Sequence, residues 1–301
     1  MTYSRDKSTK NFAKTIEAAK KSDVILFFAG EEAILSGEAR CRTDISLPGA
    51  QSALLAELKK TGKPIVLIVM AGRPLTIGAE TEQANAVLYA FHGGTMAGPA
   101  IANVLMGKAP AGRLPMTFPK MVGQIPLYYN RLNTGRPTYD DPVLIDDIPI
   151  NAKQFSVGYS SCWLETATEP LFPFGYGLTY TTFEYGETKV NEQMVNGQMV
   201  NEFTVSCEIT NTGNRDAYDV PQLYVRQVSG YFARPIEELK GFQKIFIPAG
   251  ETKTVTFTLS KEDLGYWHEE HDGLNSRVWF ATDNVDFAFW IAPHAGCNPR
   301  Q

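Results

Sequence analysis

The sequence predicts an α/β sandwich built on a mostly parallel sheet, followed by an all-β sandwich. Three observations carry this reading. Helix and strand signals alternate over roughly the first third of the chain, which is the rhythm of βαβ units. From residue 183 onward, apolar and polar residues alternate with a period of two between short turn signals. Between these regions lies a proline-punctuated stretch too rich in aromatic residues for a disordered linker. The 301 residues suffice for two domains with cores of their own.

In order, residues 11–21 (NFAKTIEAAKK) are helix formers that set Phe12, Ile16 and Ala19 on one side. Residues 24–29 (VILFFA) form a continuous apolar run, expected as a strand covered on both faces. Residues 48–60 (PGAQSALLAELKK) have a proline near the helix start, Leu54, Leu55 and Leu58 along one stripe, and Thr61-Gly62 as a stop. Residues 64–70 (PIVLIVM) and 86–90 (AVLYA) are the second and third strands, and residues 95–106 are a helix ended by Gly107. The predicted arrangement is a parallel sheet with helices on both faces.

Residues 110–182 carry prolines throughout, from Pro110 and Pro115 to Pro170 and Pro173. An ordered connection is expected there, lying against folded surface. Its anchors would be Tyr128, Tyr129, Tyr139, Phe155, Tyr159, Trp163, Phe172, Phe174, Tyr176 and Tyr180, with stacking of these rings on a substrate as the alternative. Beyond it, residues 203–210 alternate cleanly, and residues 220–225, 242–247, 252–259, 277–281 and 286–291 follow as strands. Asn211-Thr212-Gly213-Asn214 and Pro248-Ala249-Gly250 are turns. About seven short strands make an antiparallel sandwich. The division reads as residues 1–119, 120–182 and 183–301.

A net charge of −5 gives no general attraction to nucleic acid or to anionic membranes. No apolar run approaches the ~20 residues of a membrane span, and the polar first residues have no apolar signal core behind them. Cys41, Cys162, Cys207 and Cys297 form no CxxC pair, which argues against a zinc ribbon or a thioredoxin motif. Cys207 alternates with apolar residues as a small packed hydrophobe. The four histidines have no metal-binding spacing, and residues 98–108 lack that of a phosphate loop. No metal and no cofactor are expected. His92-Gly93-Gly94 resembles the oxyanion-hole motif of lipases, but no G-x-S-x-G elbow accompanies it; a tight turn before the next helix is expected.

The chemistry gathers behind the first strand. Residues 24–30 run straight into a loop holding Glu31, Glu32, Glu38 and Asp44. In open α/β sheets, reactive groups sit outside the carboxyl ends of the strands, and a loop there can carry an acid to a substrate. Arg42 and Asp44 are expected to pair and hold the loop, with contact between Arg42 and a substrate as the alternative. Glu31 and Glu32 read as solvated, with substrate binding as their alternative.

These stretches resemble glycoside hydrolase family 3, the β-glucosidase and β-xylosidase family, over nearly the whole chain. Residues 21–31 look like the strand that leads into the family's acid/base loop, and Arg42-Thr43-Asp44-Ile45-Ser46-Leu47-Pro48 like the loop's exit. Ala71-Gly72-Arg73-Pro74-Leu75 resembles the turn after the next strand. Ala111-Gly112-Arg113-Leu114-Pro115-Met116-Thr117-Phe118-Pro119, Gly123-Gln124-Ile125-Pro126 and Asn133-Thr134-Gly135-Arg136-Pro137 continue the match. Residues 171–183 (LFPFGYGLTYTTF) look like the lead into a fibronectin type III-like domain, which Leu239-Lys240-Gly241-Phe242 and residues 248–252 also match.

The resemblance implies a C-terminal portion of a retaining β-glycosidase, with an α/β sandwich incomplete at its N-terminus. It implies an aspartate nucleophile on an N-terminal barrel that this chain does not contain, present in cis or in trans. Glu38, six residues before Asp44, falls where the family has its acid/base glutamate; Gly37 stands where a histidine is often found. The substrate class is a β-linked glucoside or oligosaccharide, and residence is periplasmic or secreted. Two other readings remain: a non-catalytic module that binds carbohydrate or protein, and one half of a split enzyme.

Overall fold

The computed structural model describes residues 4–138, 142–154, 160–195, 198–272 and 275–298. Tyr139, Phe155 and Tyr159, expected as anchors, lie outside the described residues. The α/β part runs α1 (Phe12–Lys20), β1 (Ile25–Gly30), α2 (Gln51–Lys59), β2 (Ile65–Met70), α3 (Gly78–Gln83), β3 (Ala86–Tyr89) and α4 (Ala97–Leu105). The strands lie in the order β1-β2-β3, all parallel, with Ile25 opposite Ile65 and Gly30 opposite Met70.

One face of this sheet is well covered. Phe27, Ala29, Leu67 and Val69 pack with Ala19 of α1 and with Leu54, Leu55 and Leu58 of α2. The apolar stripes of the two helices are buried here as their spacing requires. The expectation of cover on both faces fails for β1: Leu26 is 47% and Phe28 54% exposed. Alternate strand residues point to opposite faces, so α1 and α2, on the side of Phe27, do nothing for Leu26 and Phe28. An apolar run tells that a strand expects cover on both faces but not whether both covers are present.

The β region holds β4 (Phe183–Tyr185), β5 (Lys189–Val195), β6 (Gln198–Asn211), β7 (Ala217–Asp219), β8 (Gln222–Gln227), β9 (Glu238–Phe242), β10 (Ile245–Ile247), β11 (Thr252–Ser260), β12 (Tyr266–Asp272), β13 (Asn275–Ala281) and β14 (Phe287–Ala292). All of their pairings among the described residues are antiparallel. Two sheets, β11-β6-β4 and β14-β8-β9, share a core of Val205, Ile209, Leu223, Val225, Val255 and Phe257. There are more strands than the seven expected. Residues 242–247, read as one strand, are two that pair with different neighbours, β9 with β8 and β10 with β7. β12 was missed because its sequence, YWHEEHD, carries too much charge to look like a strand. Cys207 packs in the core as expected, and all four cysteines are free thiols.

The connection between the two parts is tied down at several points. Phe118 bridges Phe172, and Leu114 and Gly175 exchange backbone hydrogen bonds with their neighbours across the same turn. Tyr129 stacks on Phe174 at 4.2 Å, and its hydroxyl accepts from the Leu239 amide. The Tyr180 hydroxyl donates to the Val104 carbonyl. Tyr128, by contrast, is largely exposed. Arg113 and Asp219 form a buried ion pair, 2.6 Å, between this connection and the sandwich.

At this junction Glu237 is only 2% exposed. Burial pushes its carboxyl up to about 8, against the opposing pull of an Asn298 hydrogen bond and the charges of Arg131 and Arg226. The folded protein therefore holds a proton on Glu237 that the unfolded chain releases from its ordinary value of 4.5. The stabilisation is fully present below about 4.5 and is lost as pH rises to about 8, at roughly 1.4 kcal/mol per unit. Urea titrations of native protein and Glu237→Gln across this window are expected to show the native protein weakening with pH relative to the variant. Parallel curves would refute a buried neutral carboxyl.

Candidate active site

Residues 30–48 form a loop at the carboxyl end of β1, and its two ends are pinned together. Gly30 has φ +136°, and a Cβ there would sit 1.9 Å from the Met70 carbonyl oxygen, so only glycine allows the chain to leave β1 so close to β2. The buried Gln51 amide closes the base. Its Nε2 donates to the Gly30, Pro48 and Ser4 carbonyls, and its Oε1 accepts from the Gly30 amide at 2.8 Å. Sequence reasoning passed over Gln51. Its signal was a polar residue at the head of the Leu54, Leu55, Leu58 stripe, where an apolar one is due.

The expectation that Glu31 is solvated fails: its side chain is 0% exposed. Its Oε1 accepts from Arg42 Nη1 at 2.5 Å and from Arg73 Nη1 at 2.6 Å. Arg73 also donates through Nη2 to the carbonyls of Leu35 and Arg40, and Arg42 donates to that of Ser46. The Arg73 carbonyl in turn accepts from Tyr89. One buried carboxylate and two guanidiniums thus hold the loop against the ends of β2 and β3. Charge-assisted, multiply bonded arginines are suited to such a frame. Glu31 keeps Oε2 without a partner among the described residues.

Two of the remaining carboxylates are also committed. Glu32 pairs with Arg5, and its amide donates to Ser4 Oγ. Asp44 accepts from the Ser46 amide at 2.9 Å; that hydrogen bond, then the Ser46 hydroxyl and the Arg42 charge, hold its carboxyl below the usual value. Arg42 and Asp44 do not bond to each other directly; Arg42 bonds to Glu31 instead.

Glu38 is different. It is exposed and has no hydrogen bond or ion pair among the described residues. It sits in a turn closed by the Arg40 amide on the Gly37 carbonyl, between Gly37 at φ +124° and Ala39 at φ +55°. A non-glycine residue at positive φ is uncommon, and such strain gathers at functional sites. The same geometry accounts for Gly37, because a side chain is strained at φ +124°.

Other strand ends converge on this loop. A Cβ on Gly72, after β2, would lie 2.9 Å from Ser36 Oγ and 3.0 Å from His92 Nε2. His92 follows Phe91 at φ +51° and leads through a short turn into α4, so the expected tight turn is there, with its side chain beside the loop. The arrangement can present a free carboxyl group on a braced loop at the carboxyl edge of a parallel sheet. Among the described residues, no group of three or more histidine, cysteine, aspartate or glutamate side chains is placed to hold a metal ion. No helix of the described residues is long and apolar enough to cross a membrane.

Comparison with known proteins gives the chain's relatives. The profile of the glycosyl hydrolase family 3 C-terminal domain matches residues 4–180, and that of the fibronectin type III-like domain matches residues 219–294. The "Periplasmic beta-glucosidase" of Salmonella typhimurium is 42% identical over 258 residues, which is 85% of this chain and 32% of that protein. The "Beta-xylosidase" of Formosa agariphila is 37% identical over 266 residues, 87% of this chain and 34% of that protein. The crystal structure of a β-glucosidase from Listeria innocua in complex with gluconolactone superposes with a TM-score of 0.78 at 32% identity, covering 96% of this chain and 39% of that one. The chain thus spans about a third of the length of the curated relatives it matches.

Proposed function

The chain belongs to glycoside hydrolase family 3, and from this we propose that it is the part of a retaining β-glycosidase that supplies the general acid/base, Glu38. The observation that supports this most is the process of elimination within the loop. Glu31, Glu32 and Asp44 each bind a neighbour, while Glu38 alone stands free at the tip. Substrate contacts by Glu31 or Arg42 receive less support, because each is engaged in the frame.

The chemistry needs two carboxyl groups about 5–5.5 Å apart. In the first step the Glu38 acid gives its proton to the glycosidic oxygen as the bond from the anomeric carbon to that oxygen breaks. An aspartate on a barrel domain, in the same chain or a separate one, forms the ester to the anomeric carbon. In the second step the Glu38 carboxylate takes a proton from water, the water oxygen bonds to the anomeric carbon, and the aspartate leaves. The glutamate ends protonated, as it began.

The substrate would be a terminal β-D-glucosyl or xylosyl residue, released in the periplasm or outside the cell. The working division would be residues 1–119, 120–182 and 183–301. The exposed Leu26 and Phe28 are consistent with a sheet that expects a further covering layer. Without a nucleophile, the isolated chain is expected to show no turnover of an aryl β-glucoside, and mixing it with a separately produced barrel domain is expected to restore turnover. Turnover by the chain alone that is abolished in Glu38→Gln would overturn the partition of the two carboxyl groups.

A further inference from the structure

Residues 4–6, which precede α1, lie across the base of the 30–48 loop and bond to the chain on both sides of it. After the loop, the Ala50 amide donates to the Asp6 carbonyl at 2.9 Å, and Gln51 Nε2 donates to the Ser4 carbonyl at 3.2 Å. At its start, the Glu32 amide donates to Ser4 Oγ at 3.1 Å, and the Arg5 guanidinium pairs with the Glu32 carboxylate. Gly49 lets the two segments come so close. It has φ +71°, and a Cβ there would lie 2.4 Å from the Ser4 carbonyl oxygen and 2.7 Å from that of Asp6. Residues 4–6 thus form a strap, bonded to the loop through backbone and side chains alike.

Glu32 begins a run of tight turns that leads to Glu38. The Leu35 amide donates to the Glu32 carbonyl at 2.9 Å, the Ser36 amide to that of Ala33 at 3.2 Å, and the Arg40 amide to that of Gly37 at 3.2 Å. These bonds leave few free joints between Glu32 and Glu38, so a displacement of Glu32 is passed along the run. Arg73 grips the same run at the carbonyls of Leu35 and Arg40, and Glu31 is held by Arg42 and Arg73. Glu32 lies outside that grip. Among the described residues, its side chain and its amide bond to the strap alone.

We infer that the Ser4-Arg5-Asp6 strap positions the acid/base loop, and that Arg5, acting through Glu32, is a positioning residue for proton transfer by Glu38. The proton transfer rests on the acid/base reading; the clamp on the loop rests on the strap's own bonds. A general acid must come within ~2.6–3.2 Å of the oxygen it protonates. A shift too small to unfold the loop therefore still costs rate. The Arg5 side chain is 59% exposed, so its ion pair adds little to global stability and its removal leaves the fold in place.

Hydrogen exchange of the intact chain tests the clamp. In Arg5→Ala the amides of Glu32, Leu35 and Arg40 are expected to exchange about three- to tenfold faster while those of β2 hold, and Arg5→Lys is expected to recover most of the protection. Kinetics of the chain combined with a barrel domain test the positioning. In Arg5→Ala, kcat/KM on cellobiose, whose leaving oxygen needs the proton, should fall about three- to tenfold, while kcat/KM on a nitrophenyl β-glucoside should hold within about twofold. Loss of folded protein would lower both alike. Unchanged exchange in Arg5→Ala overturns the clamp; equal losses on the two substrates, or none on cellobiose, overturn the positioning. If Glu38→Gln costs nothing on cellobiose, the acid/base reading falls instead, and faster exchange in Arg5→Ala still upholds the clamp.

Discussion

On the proposed acid/base role, Glu38→Gln in the chain combined with a barrel domain is expected to lower kcat on an unactivated β-glucoside by about 10²–10⁴-fold, the usual worth of a general acid/base. The loss should depend on the leaving group. An alkoxide leaves poorly without a proton, so cellobiose feels the full effect. A nitrophenolate leaves unaided, so the first step survives and the glycosyl intermediate waits for an unactivated water. Added azide, which needs no base, should then speed turnover of the aryl glucoside and give a glycosyl azide. Native rates in Glu38→Gln, or a loss that appears only in Glu32→Gln, would remove Glu38 from the role. Because Glu38 is exposed and has no partner among the described residues, its replacement should leave stability within about 0.5 kcal/mol, so that the loss reads as chemistry.

Arg73→Ala should do the opposite: a loss of about 2–4 kcal/mol in the stability of the α/β part, the scale of breaking a largely buried ion pair. Arg73 is 21% exposed at its side chain and Glu31 is 0% exposed. Its removal leaves the Glu31 carboxylate with Arg42 alone and takes the donor from the carbonyls of Leu35 and Arg40. Unfolding followed at the four tryptophans would miss this in part, since Trp267, Trp279 and Trp290 lie in the β region. Hydrogen exchange at the amides of β1 and β2 reads the α/β part directly, and protection there is expected to fall in Arg73→Ala and hold in Glu38→Gln. Unchanged protection in Arg73→Ala would mean that the Glu31 frame contributes nothing to the loop.

Much of the fold was legible because its signals are local. The stripe of Leu54, Leu55 and Leu58 and the alternation through Val205, Cys207 and Ile209 announce their elements without reference to any distant residue. The failures have local causes too. YWHEEHD hides a strand behind its charges, and a continuous run such as β2 does not reveal that its neighbour β1 has a bare face.

The site divides in the same way. The sequence by itself indicated that a strand runs into a loop with four carboxylates, and the family resemblance of its motifs singled out Glu38 among them. Only the tertiary structure decided which of those carboxylates are spoken for. Glu31 is bound by Arg73, 42 positions away, Glu32 by Arg5 at 27, and the loop's base is closed by Gln51 at 21 from Gly30. Periodicity is written into neighbouring residues, so it can be read along the chain. Whether a charge is paired or free depends on residues that come together only when the chain has folded.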